Sequence, residues 1–106
     1  MSITRRVAEG MQRQGEDEKI HYGLVTTEWG SSPQSIVVTV KDVTNPNVTT
    51  DVTGTVTTGS STANGDTITL PLLHSLTKNH KYRMEIRFTD DNNNTWEPYA
   101  EIWCEE

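Results

Sequence analysis

At 106 residues the chain makes one domain that can fold without staples, and it is too short for two. Its net charge of −6 is uneven: residues 1–14 carry Arg5, Arg6 and Arg13 against Glu9, which is +2 and leaves −8 on the rest. An acidic body repels phosphates, so nucleic acid is not an expected partner.

Leu, Ile, Val and Phe together are about a fifth of the residues, so any core is thin and periodicity has to show that the chain folds. Residues 1–15 favour helix at Arg, Gln, Glu, Met and Ala, with Gly10 and Gly15 as interruptions, and Ile3, Val7 and Met11 form one apolar stripe at spacing four. A segment this short is marginal alone, so it reads as a loose terminus, a helix lying on its own domain, or an arm that docks on a partner. Residues 16–106 are then the folded domain. Past the charged break Gly15-Glu16-Asp17-Glu18, alternation of Ile20, Tyr22 and Leu24 with His21 and Gly23 predicts a first strand that ends near Trp29 and Gly30. Ser31-Ser32-Pro33 is a turn, and Ile36, Val38 and Val40 mark a β-branched second strand. Asn45-Pro46-Asn47 turns the chain into a Thr/Val-rich stretch from Val48 to Thr58, broken at Gly54.

The run from Gly59 to Asp66 is a loop in which Asn64-Gly65 suits positive φ. Ile68, Leu70 and Leu72 alternate next, and Pro71 within that run predicts an edge strand or a strand end. The clearest strand spans 80–90, with Tyr82, Met84, Ile86 and Phe88 on one face and Lys81, Arg83, Glu85 and Arg87 on the other. Asp90 to Asn94 is a turn, and the last strand runs from Trp96 to Cys104, with Pro98 expected to mark a bulge. Six or seven short strands with turn signals about every ten residues predict an all-β, antiparallel sandwich, with a barrel as the lesser option.

The pattern offers little chemistry. His21, His74 and His80 are far apart and lack a second ligand at metal spacing, and Asp90-Asp91-Asn92-Asn93-Asn94 lacks the closing Glu of a calcium loop. Cys104 is the only cysteine, which rules out an internal disulfide, and it sits on the apolar alternation of its strand as a structural thiol. There is no phosphate loop, nucleophile elbow or paired-carboxylate motif, so neither catalysis nor a cofactor is expected. No run is long enough to span a membrane or to act as a secretion signal, so synthesis in a reducing cytoplasm is expected. Trp29, Trp96, Tyr99 and Trp103 are the candidate contact aromatics; Trp103, outward by alternation, is the best anchor for a subunit interface.

The stretch Leu76-Thr77-Lys78-Asn79-His80-Lys81-Tyr82 resembles the Leu-to-Tyr spacing that opens strand F of immunoglobulin-like and fibronectin-type domains, with Lys78 where those domains usually have proline. That resemblance implies an immunoglobulin-like sandwich whose Tyr82 hydroxyl bonds back to the preceding corner. The order Asp17-Glu18-Lys19-Ile20-His21-Tyr22-Gly23-Leu24, then Trp29, the Thr/Val-rich middle and the Tyr82 hairpin is similar to that of small tailed-phage virion proteins, the fibre–tail adaptors and related head and tail accessory proteins. Where those proteins often repeat Asp and Trp, this chain has Thr27 and Trp29. The resemblance implies a non-enzymatic virion protein that contacts other virion proteins and copies of itself as a homo-oligomer. Ile3, Arg5, Arg6, Val7, Met11, Arg13 and Trp103 are its expected interface residues. A capsid decoration protein and a carbohydrate-binding module are the alternatives.

Overall fold

The computed structural model describes residues 12–105 apart from positions 28 and 46. The chain is nearly all β, and its strands form two sheets. The larger holds β1 (Gln12–Gly15), β3 (Gln34–Asn45), β4 (Val48–Asp51), β8 (Lys81–Thr89), β9 (Thr95–Trp96) and β10 (Tyr99–Glu105), in the order β1-β10-β8-β3-β4 with β9 also on β8. The smaller holds β2 (Ile20–Val25), β5 (Thr57–Thr58), β6 (Thr62–Asn64) and β7 (Thr67–Leu73), with β7 between β2 on one side and β5 and β6 on the other. Among the described residues all pairs are antiparallel except β1 with β10, where Gln12 to Gly15 run alongside Ile102 to Glu105.

The period-two pattern decides which faces meet. Val40, Tyr82, Met84, Ile86, Phe88, Ile102 and Cys104 from the larger sheet pack on Leu24, Ile68, Leu70 and Leu73 from the smaller, with Trp29, Val56 and Leu76 closing the ends. This is the arrangement of an all-β sandwich: alternate side chains of each strand leave the sheet on the same side, and two such apolar sides bury each other. The Tyr82 hydroxyl accepts a hydrogen bond from the Thr77 backbone N–H at 2.8 Å, a contact of the kind that the resemblance implied.

Three local expectations change, and the Thr/Val-rich stretch gains its structure. Residues 12–15, read as part of an arm, form β1, and the fully buried Gln14 holds them in place. The Val48–Thr58 stretch, with its break at Gly54, forms β4, a single helical turn over Thr53–Val56 (α1) and β5, a path that carries the chain from one sheet to the other. Pro71 lies in the central strand of the smaller sheet rather than at an edge. It is tolerated there because the ladder lapses around it: β5 pairs only with Leu72 and Leu73, β6 stops at Thr69, and β2 shifts register between His21 and Gly23. His21 Nδ1 donates to the Leu70 carbonyl at 2.8 Å within that irregularity. Pro98 makes no bulge: Tyr99 opposes Glu85, Trp96 opposes Phe88, and the Ile86 N–H donates to the Pro98 carbonyl at 2.9 Å, so one register continues across it. The slip that does occur on β8 lies opposite Ser35, whose φ of 54° offsets β3 between Gln34 and Val37.

One end of the sandwich is tied by two aspartates. Asp66 accepts from Thr27 and Ser31 hydroxyls and from the Ser32 N–H, which fastens the β6–β7 turn to the loop after β2. Asp90 is buried, and its carboxylate accepts from the N–H groups of Asn92 and Asn94, each at 2.9 Å, and from the Trp96 indole N–H at 2.8 Å. Gly30 lies so close that a Cβ there would overlap this carboxylate. The Trp96 hydrogen bond, opposed by burial and aided by the two backbone donors, holds the Asp90 pKa below the usual carboxylate range. A group with a lowered folded pKa adds stability that is complete above its unfolded value of about 3.9 and is lost as pH falls through the folded value. Acid titration followed by tryptophan fluorescence should therefore keep the native signal down to about pH 4 and lose it below that. Asp42, where burial is outweighed by Thr44 and His80 donors, and Asp51, held low by Thr53 donors, share in this loss, so Asp90→Asn should reduce its pH dependence while lowering stability at neutral pH. An unchanged acid profile in Asp90→Asn would remove Asp90 from the account.

Candidate interaction surface

The larger sheet turns its second face to solvent, and strand register sets that face out in rows. Lys41, Arg83 and Glu101 lie abreast on β3, β8 and β10; Thr39, Glu85 and Tyr99 form the next row. Val37 lies opposite Arg87, and the continued register beside Pro98 sets Glu97 abreast of Arg87 on the other side. Lys81 neighbours Trp103, which in turn lies abreast of Arg13 on β1. The strands thus carry charge in stripes: β8 is cationic at Lys81, Arg83 and Arg87 with Glu85 between, and the chain at β10 is anionic at Glu97, Glu101 and Glu105.

Contacts within the face are specific. The Arg83 guanidinium stacks 3.9 Å above the Tyr99 ring, and its Nε is buried without a hydrogen bond, with Glu85 Oε2 at 3.5 Å. Stacking suits a guanidinium because it is planar and weakly hydrated. Lys81 pairs with Glu101 at 2.9 Å, Lys41 with Glu85 at 3.4 Å and Arg13 with Glu105 at 3.6 Å. Val37, Thr39, Glu85, Arg87 and Glu97 line a groove at one end.

Of the expected interface residues, Ile3, Arg5, Arg6, Val7 and Met11 lie outside the described residues, while Arg13 and Trp103 are brought side by side. The other candidate aromatics separate. Trp29 is buried, and Trp96 is half-buried against the core with its N–H on Asp90. The histidines also go different ways. His80 Nδ1 donates to Asp42 Oδ2 at 2.6 Å, and His74 bridges the hydroxyls of Thr58 and Ser75 at 2.7 and 2.8 Å. Cys104 is buried, and burial, with Glu16 and Glu105 nearby, pushes its thiol pKa up, away from the reactive thiolate. Among the described residues no group of three or more His, Cys, Asp or Glu could hold a metal ion, and no helix is long and apolar enough to cross a membrane.

The charged face of β8 was legible from its own alternation, but not the placing of its cations beside Glu97 and Glu101, which depends on which residue of β10 faces which of β8. Sequence reasoning also missed β1 and Gln14, whose sequence Gln-Arg-Gln-Gly carries no apolar signal. Compared with known proteins, the chain matches no family model, no curated protein and no solved structure.

Proposed function

We propose that this chain is a non-enzymatic assembly module of a phage or prophage particle: a small sandwich made in the host cytoplasm that acts as a tail or fibre adaptor through contacts with other virion proteins and with copies of itself. The observation that carries the reading is the outward face of the larger sheet, where charge stripes, a stacked Arg83–Tyr99 pair and Trp103 lie together. Such a mixture of aromatic and arginine anchors with a charged surround is what protein interfaces use.

The fold proposed for it is immunoglobulin-like. In that arrangement β2, β7 and β5 correspond to one sheet, and β3, β8 and β10 to the other, with β4 added at the edge. The Tyr82-to-Thr77 hydrogen bond agrees with the tyrosine corner of such domains. Against a carbohydrate-binding module stands the dispersal of the aromatics: Trp29 is in the core, Trp96 is held by Asp90, and Arg83 covers one face of Tyr99. A sugar platform needs ring faces open together.

The test is quantitative mass spectrometry of gradient-purified particles from the native host. Co-sedimentation at a fixed copy number is expected, and that number separates a tail ring from a capsid-covering protein. Absence from intact particles would sink the assembly reading.

A further inference from the structure

We infer that the outward face of the larger sheet binds a second copy of this chain, across a two-fold axis that runs parallel to the strands between β8 and β10. The stripes argue for it. Rotation about such an axis lays each β8 over the partner copy's β10 and keeps the position along the strands unchanged. Arg87 then meets Glu97, Arg83 meets Glu101 and Lys81 meets the Trp103 ring, because these residues already lie abreast within one chain. Each contact occurs twice, as an isologous interface requires.

Charge balance singles out the same face. The protein as a whole is −6, so two copies repel across most approaches. Five of the nine Lys and Arg residues (Arg13, Lys41, Lys81, Arg83 and Arg87) are gathered here against four Glu. The molecule measures 40 × 28 × 21 Å, so a broad side offers roughly 1,000 Å², and a stable complex buries about 800 Å² per partner. The Arg83 and Glu101 side chains already have partners within the chain, and across the axis they would share them as a desolvated network.

This inference rests on the assembly reading for its purpose, and a charge-swap experiment tests it separately. Sedimentation velocity at low ionic strength and about 100 μM protein should give a dimer for the full chain. Arg87→Glu sets glutamate against Glu97 of the partner copy, and Glu97→Arg sets arginine against Arg87. Each variant alone should therefore associate at least tenfold more weakly. A one-to-one mixture of the two should dimerise again, since every cross-axis pair then joins opposite charges. Circular dichroism serves to establish that both variants fold. A monomeric wild type, or variants that dimerise as well as the wild type, or a mixture of folded variants that stays monomeric, would each overturn the inference. If the protein is monomeric in solution yet co-sediments with particles, the assembly reading survives without this dimer.

Discussion

Phe88→Ala is expected to remove about 3–5 kcal/mol of folding stability, the usual cost of deleting a buried phenylalanine. Phe88 is the only phenylalanine in the chain and is fully buried. It sits on β8, which is paired on both sides, by β3 and by β9 and β10. The neighbours cannot collapse into the space left behind, because Trp96 opposite is fixed to Asp90 and Ile86 and Met84 are held in the same ladder. A thin core magnifies the effect. Single domains are commonly stable by about 5–15 kcal/mol, so the variant should lie near its unfolding limit. Urea denaturation followed by tryptophan fluorescence should show a much lower midpoint at an unchanged slope. Val37→Ala, on the outward face, should change stability by no more than about 0.5 kcal/mol. Equal effects at the two positions would mean that the inward and outward faces of this sheet have been assigned wrongly.

How much of this could be read beforehand depends on which interaction fixes each element. The β8 alternation of Tyr82, Met84, Ile86 and Phe88 against Lys81, Arg83, Glu85 and Arg87 was plain, because a strand with one face in the core writes its geometry directly into hydropathy. The Leu76–Tyr82 corner was legible only through its resemblance to immunoglobulin-like domains; its hydrogen bond gives a buried phenol the partner it needs. Pro71 misled because its cost depends on the neighbouring strands: the lapse in pairing around it is set by where β2, β5 and β6 stop or slip, which the run around Pro71 does not show. The candidate surface was half legible. Arg13 and Trp103 were named singly, but their adjacency comes from a parallel pairing between the two ends of the described chain. The adjacency of the cationic and anionic stripes likewise depends on a register that the Asp90–Asn94 turn sets through hydrogen bonds rather than through side-chain pattern.

Gln14→Leu is expected to loosen β1 from the sandwich while the rest of the sheet stays folded. The Gln14 side chain is fully buried, and its amide joins both sheets: Nε2 donates to the Leu73 carbonyl at 2.8 Å and to the Glu18 carbonyl at 2.9 Å, and Oε1 accepts from the Tyr22 hydroxyl at 3.0 Å. Leucine is close in volume, so packing is kept and the polar connections are lost. A buried group left without its partner costs about 1–3 kcal/mol, and here up to three are affected, although the half-buried Tyr22 hydroxyl can turn toward water. Local release of β1 limits the loss, because Glu18 and Leu73 then regain solvent. What opposes release is the ladder with β10, the Glu16 N–H on the Glu105 carbonyl at 2.9 Å and the Arg13–Glu105 pair. Amide hydrogen exchange should therefore speed up over residues 12–16 and along β10, with β8 and β3 keeping their protection. Unchanged exchange across β1 would show that the ladder alone secures the strand, and that the buried glutamine is a passenger in it.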